Sequence, residues 1–226
     1  MELYADRPWT HLEKLYAAMI TRFDGHVGQI IDLLKELDLD EDTIIVFTSD
    51  NGDENSYYKY TDRFHATGPL RGKKRYLYEG GIRVPFLVSW PTTIEGGKRY
   101  HKPISALDIF PTILAATGAK HPKPQSLDGV DMLPYLQGNK KNATPHNIIF
   151  WRYSDGAGYA VRKGDYKMIW SGYKKRFLLF NIEEDPYEMN NVVEQYPEKL
   201  AELRKEYKEW TKGTVMAKWQ DPHSSL

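Results

Sequence analysis

"TIIVFTSDNG", Thr43–Gly52, is the stretch whose reading decides the fold. Its first six residues form a short, nearly unbroken apolar run, the composition of a strand covered on both faces in a parallel sheet. The run then ends in an acid, an amide and a glycine. In open α/β sheets, sites form beyond the carboxyl ends of strands, and Asp50 and Asn51 fall there. A carboxylate and an amide carbonyl are hard oxygen donors that suit Ca²⁺ or Mg²⁺. Two donors do not complete a shell, because Ca²⁺ takes roughly six to eight oxygens. A turn in which Asp50 and Asn51 bond their own backbone is the other reading of the same triplet.

Upstream, Leu12, Leu15, Tyr16, Met19, Ile20, Phe23, Val27, Ile30, Ile31 and Leu34 recur in steps of three and four. That spacing predicts a helix with one buried stripe. "DLDEDT" is a polar turn, so helix and strand make half of a βαβ unit. Downstream, a polar loop from Gly52 to about Gly68 leads to a second strand, "VPFLVSW". A short helix follows in "SALDIFPTILAATG", with Asp108 as N-cap, Pro111 in the first turn and Gly118 as the stop.

The proline-rich "AKHPKPQSLDG" marks a boundary, with residues 1–122 before it and 123–226 after it. Beyond it, "NIIFW", "GYAVRK", "YKMIW" and "FLLFNI" predict short strands, with a hairpin at "RKGDY". "PEKLAELRKEYKEW" predicts a closing helix with Leu200, Leu203, Tyr207 and Trp210 on one side. The fold class is therefore α/β, followed by a small α+β part with an antiparallel sheet and one helix across it. Trp151, Tyr153, Tyr159, Tyr166 and Trp170 are either core of that sheet or a surface for stacking sugars. Asn142 opens an "NAT" triplet that fits a glycosylation acceptor in a secretory setting.

Composition excludes several classes. Lysine plus arginine and aspartate plus glutamate both total 31 in 226 residues, for a net charge of zero. General nucleic-acid binding and attraction to anionic lipid both need a cationic surplus, so neither is expected. Cysteine is absent, which removes disulfides, zinc–thiolate sites and cysteine nucleophiles. No apolar run approaches the ~20 residues needed to span a bilayer. The amino end, "MELYADRPWT", has no secretion signal and reads like the interior of a longer protein, so localisation is not assigned.

A second signal stands beside the first. "GPLRGKKRYLYEGGIRVPF", Gly68–Phe86, sets Arg71, Lys73, Lys74, Arg75 and Arg83 among glycines. Clustered cations with close backbone approach, next to metal-type ligands, describe a pocket for a tetrahedral oxyanion. A solvated basic loop is the alternative.

Taken in order, "TIIVFTSDNG", "GPLRGKKRYLYEGGIRVPFLVSWP", "DIFPTILAATG", "LDGVDMLPYLQG", "AVRKGDYKMI" and "LLFNIEEDPYEMNNV" resemble the type I sulfatases of the alkaline-phosphatase superfamily. The likeness is strongest to the arylsulfatase and N-acetylgalactosamine-6-sulfatase kind, and it covers the C-terminal portion of such an enzyme. The resemblance implies an alkaline-phosphatase-like fold and a Ca²⁺-dependent hydrolase of sulfate esters on a glycan or aryl substrate. Asp50 and Asn51 fall on the family's late pair of calcium ligands. Lys74, five residues before Glu79 of "YEGG", falls on the lysine that contacts the sulfate oxygens, and Lys73 is its neighbour. Glu79, Gly80, Gly81 and Arg83 are structural. His65 lies in the loop facing the pocket, either touching substrate or merely at the surface.

The departures are equally definite. The family's formylglycine comes from a Cys or Ser in a C/S-x-P-x-R motif, and neither form occurs here. The early aspartate pair and the histidines and lysine that assist the nucleophile have no counterpart either. By that mapping this chain is inactive alone, with an incomplete calcium shell. It is expected to hide exposed surface by self-association or by pairing with a separate N-terminal half. Two other functions stay open: a phosphomonoester or phosphonate hydrolase of the same superfamily, and a non-catalytic fragment that binds sulfated glycans or a partner.

Overall fold

The spacing that begins at Leu12 becomes α1, His11–Glu36. The computed structural model describes residues 2–54, 63–121, 126–140, 143–153 and 157–215. A reciprocal capping box opens the helix. The Thr10 amide donates to the Glu13 carboxylate at 2.7 Å and the Glu13 amide to the Thr10 hydroxyl at 3.3 Å. Arg63 Nε adds a second bond to Glu13 at 2.6 Å. These donors, the Thr10 amide foremost, hold the Glu13 carboxyl below its ordinary range.

The stripe itself departs from expectation. Leu12, Met19 and Phe23 are about half exposed, and Glu13 and Ala17 are the buried residues of α1. Spacing and capping are local and suffice to wind the helix, whereas burial needs a facing element. Here these side chains meet water.

The apolar run gives β1, Ile45–Thr48, which pairs with β2, Phe86–Ser89, in a two-stranded sheet. Cover on both faces is not realised, because Phe47 is 36% exposed and Leu87 59%. Two strands alone leave their faces open. Among the described residues, no helix is long and apolar enough to cross a membrane.

Contacts gather the chain into two compact units, neither continuous in sequence. One takes Met1–Gln29, Thr48–Phe86 and Ile148–Leu226; the other takes Ile30–Phe47 and Leu87–Asn147. The boundary expected after residue 122 lies outside the described residues, as does Asn142.

In the second unit, α3, Ile109–Thr117, ends at Gly118 in the left-handed conformation, φ 66°. Asp108 does not cap α3 through its side chain. Its buried carboxylate instead accepts from the Ser105 amide at 2.8 Å and the Val130 amide at 2.8 Å, and pairs with His146 Nε2 at 2.8 Å. The single-turn α4, Leu133–Leu136, follows, with Met132 buried beside it.

In the first unit, the chain's last third builds a four-stranded antiparallel sheet. Its strands are β3, Ile148–Tyr153; β4, Gly158–Lys163; β5, Tyr166–Ser171; and β6, Arg176–Asn181, in sequential order. The "RKGDY" hairpin forms as expected. Lys163 pairs with Tyr166 across a two-residue turn, with Gly164 at φ 59°. The short helix α2, Glu79–Ile82, has Glu79, Gly80 and Gly81 buried, and Glu79 pairs with Lys167 of this sheet.

The sheet's two faces divide by pleat. Val161, Met168 and Leu179 pack with Leu203 of α5, Pro197–Thr211, and Tyr207 stacks on Tyr159 at 3.6 Å. Ala160, Ile169, Leu178 and Phe180 pack on the opposite face against Leu77 and Tyr78. Tyr159, Trp170, Trp151 and Tyr166 all take part in this packing or in ring contacts with it, while Tyr153 is 42% exposed.

Candidate anion-binding site

The tip of β1 and the glycine-rich segment meet through their backbones. The Gly52 amide donates to the Gly81 carbonyl at 3.0 Å, and the Lys74 amide to the Asp53 carbonyl at 2.9 Å. Gly80 donates back to the Arg71 carbonyl at 2.6 Å, closing the segment into a tight loop. The approach is close enough to exclude side chains. A Cβ on Gly52 would overlap the Gly80 carbonyl oxygen, and one on Gly81 would overlap that of Tyr76. Asp50–Asp53 and Lys73–Gly81 thus form one local assembly.

Within it, Asp50 is exposed and Asn51 half-buried. Ser49 Oγ donates to the Asn51 carbonyl at 3.0 Å, and Asn51 Nδ2 to the Gly52 carbonyl at 2.9 Å. Turn bonding of this kind leaves the amide oxygen of Asn51 as the donor that a cation would use. In kind, Asp50 and Asn51 fit a hard cation. In number they do not: among the described residues, no group of three or more His, Asp or Glu could hold a metal.

Lys74 carries its ammonium 38% exposed, 3.7 Å from Glu54 Oε2, and Arg75 reaches the same oxygen at 4.0 Å. Glu54 was not signalled by any motif, yet it faces the cations directly. Arg75 holds φ 74°, a left-handed conformation rare for a side-chain-bearing residue. Lys73 is half-buried and accepts a turn bond from the Tyr76 amide at 2.9 Å.

His65 sits elsewhere in the loop, exposed, with φ 44°. Its neighbour Phe64 packs on Trp9 at 5.2 Å and Tyr16 at 5.5 Å, and Arg63 pairs with Glu13, tying this part of the loop to the start of α1.

Glu79, in the same segment as Lys74, belongs to a buried ionic cluster. Lys167 of β5 has no exposed surface, and its Nζ stands 2.8 Å from Glu79 Oε1 and 2.9 Å from Glu188 Oε1. Glu188 Oε2 accepts from the Glu79 amide at 2.6 Å, and Arg71 donates to the Glu188 carbonyl at 2.7 Å. Burial, with the like charge of Glu79, pushes the Glu188 carboxyl up against the pull of Lys167. The sequence reading missed this cluster, though one signal could have found it: a lysine inside "YKMIW", on the face that Ile169 shares, is a charge that needs a partner. Glu188 gave no such signal.

Two family profiles match the chain. The Sulfatase profile matches residues 6–119, and that of "N-sulphoglucosamine sulphohydrolase, C-terminal" matches residues 72–213. The chain is 38% identical over 150 residues to steryl-sulfatase of Homo sapiens, covering 66% of this chain and 25% of that protein. It is 31% identical over 205 residues to the N-acetylgalactosamine-6-O-sulfatase of Bacteroides thetaiotaomicron, covering 82% and 39%. The crystal structure of Ps i-CgsB superposes with a TM-score of 0.82 at 29% identity, over 99% of this chain and 48% of that one. This chain spans less than half the length of each of these proteins. The two profiles between them account for nearly every described element, and the chain belongs to the sulfatase family.

Proposed function

We propose that this chain contributes one wall of a sulfate-ester hydrolase site, acting on sulfated glycan or aryl substrates. Residues 1–122 are read as the C-terminal portion of the catalytic α/β domain and 123–226 as its smaller α+β subdomain. Lys74 contacts the sulfate oxygens and disperses charge that builds there in the transition state. Asp50 and Asn51 are two of the donors to a Ca²⁺ ion. When bound, such an ion draws charge from a sulfate oxygen. His65 is retained as a more distant substrate contact. The observation that carries the reading is the backbone interlock of Asp50–Asp53 with Lys73–Gly81, which supports a shared pocket for hard donors and cations.

The 226 residues contain no cysteine and no Ser-x-Pro-x-Arg. Without that nucleophile, one anion contact and two cation donors supply neither the covalent step nor the positioning of reactants. The purified chain is therefore expected to bind sulfate without hydrolysing it. The exposed stripe of α1 supports a second element of the proposal, that this surface is covered by self-association or by a separate N-terminal half.

Amide NMR titration with inorganic sulfate, in the presence of Ca²⁺, tests the reading. Shifts at residues 50–53 and 71–75, lost in Lys74→Ala, are expected. Shifts confined to other surfaces would overturn it, and turnover of 4-nitrophenyl sulfate by the pure chain would overturn the claim of inactivity.

A further inference from the structure

We infer that Lys167 and Glu188 are positioning residues for the Lys74 segment. They hold it from the far sheet through a buried ionic brace. The inference rests on the proposed anion site, and the brace itself is independent of it.

Each connection in the brace is direct. Lys167 projects from β5 onto the face of Ala160, Ile169 and Phe180 and neutralises both carboxylates. Glu188 reaches three parts of the site segment. Its carboxylate accepts the first amide of α2, its carbonyl accepts Arg71, and through Lys167 it meets the Glu79 side chain. Arg71 also lies over the Tyr78 ring at 4.2 Å. From α2 the chain of bonds continues without a gap: Gly80 to Arg71, Gly52 to Gly81, and Lys74 to Asp53.

Stability alone does not call for this arrangement. A buried ion triad exchanged for apolar side chains of similar volume is often neutral or stabilising. Charged hydrogen bonds, however, are directional, and an apolar patch would let the loop slide. Glu188 itself adopts φ 55°, a left-handed conformation rare outside glycine. That conformation turns its carbonyl toward Arg71 while its carboxylate faces Glu79. Both bonds are needed to hold residues 71 and 79 at once.

The consequence is a selective loosening. Without Lys167 the segment 71–81 keeps its apolar contact with the sheet through Leu77 and Tyr78 but loses its ionic one, while the α5 face of the sheet is untouched. Amide hydrogen exchange on the complete 226-residue chain reads this out. In Lys167→Met, the Lys74 and Gly52 amides are expected to exchange at least about tenfold faster than in Leu203→Ala, after correction for global stability. The amides of Val161 and Met168, whose side chains pack on the α5 face, should follow global stability in both variants. Should Lys167→Met not fold, the milder Glu188→Gln keeps shape and an acceptor for the Glu79 amide, and severalfold faster exchange at the same two amides is expected. Exchange at Lys74 and Gly52 that merely tracks global stability would overturn the inference.

Inorganic sulfate supplies the second arm. If wild type binds at Lys74 and Glu188→Gln binds severalfold more weakly, positioning is supported. Equal affinity in the two would overturn it. Absence of any wild-type shift at Lys74 would sink the anion-site reading while leaving the exchange result to decide the brace.

Discussion

Two helices in this chain carry an apolar stripe, and the sharpest prediction compares one leucine from each. Leu203 of α5 is 1% exposed, and Leu12 of α1 is 54% exposed. Truncation to alanine removes three carbons at both positions. At Leu203 the transfer term, at roughly 0.8 kcal/mol per buried carbon, comes to about 2.4 kcal/mol. The surrounding Val161, Met168 and Leu179 are themselves fully buried and held by strand pairing, so the space cannot close freely. The residual cavity raises the expected loss to about 3–4 kcal/mol. At Leu12 about half the area is already wet, water fills the gap, and alanine is the better helix former. Its loss should be about 0.5–1 kcal/mol. The two variants should therefore differ by roughly a hundredfold in their unfolding constants. Urea titration followed by far-ultraviolet circular dichroism measures both, provided the slope m is unchanged. Measured at concentrations where the chain is monomeric, a Leu12→Ala loss within about 1 kcal/mol of that for Leu203→Ala would show that the α1 stripe is covered within the chain itself, and the reasoning would fail.

Further outcomes can be checked alongside. Glu54→Gln removes the countercharge 3.7 Å from Lys74, and because the pair is partly exposed the gain in sulfate affinity should be at most about fivefold. Calorimetry showing equal or weaker binding would refute that role. Stability should also fall steeply in alkali. Hydrogen bonds that Lys163 donates to Glu202 and Glu206 push its ammonium up to about 12, and burial raises the Tyr159 and Tyr207 phenols. Groups with raised folded values lend stability that is complete below their unfolded values, here about 10, and is lost as pH climbs through the folded ones. Melting temperature should drop between about pH 10 and 12, and Tyr207→Phe should flatten the drop. Identical slopes for wild type and Tyr207→Phe would refute the assignment.

Much of the architecture was legible because it is written locally. The spacing from Leu12, the Gly164 turn and the Leu200–Leu203–Tyr207–Trp210 face each specify an element within a few residues, and each element formed. Burial was less legible. The same periodicity that buries Leu203 leaves Leu12 and Met19 in water, because a stripe states a preference and not the presence of a neighbour. Asp108 shows the same limit for polar groups. Its position suits a cap, yet its carboxylate is taken by Val130 and His146, partners far along the chain. At the candidate site, the glycines and cations of the 68–86 segment were visible by composition. Glu54 and Glu188 were not, since a carboxylate in a polar stretch looks the same whether it faces solvent or a buried lysine. Lys167 went unremarked too, although a charge standing among strand residues is a signal that could have found it.

The span between Arg71 and Glu188, 117 residues, has a bearing on how the protein is made. At roughly 5–20 residues per second, synthesis of the intervening chain takes on the order of ten seconds. Through that interval the nascent 71–81 segment has neither the lysine nor the second carboxylate it closes upon. Its basic, glycine-rich sequence must wait, solvated, for the final strands to leave the ribosome. The 71–81 loop is thus among the later features to mature, and translation stalled after β3 would release a polypeptide in which its brace had never formed.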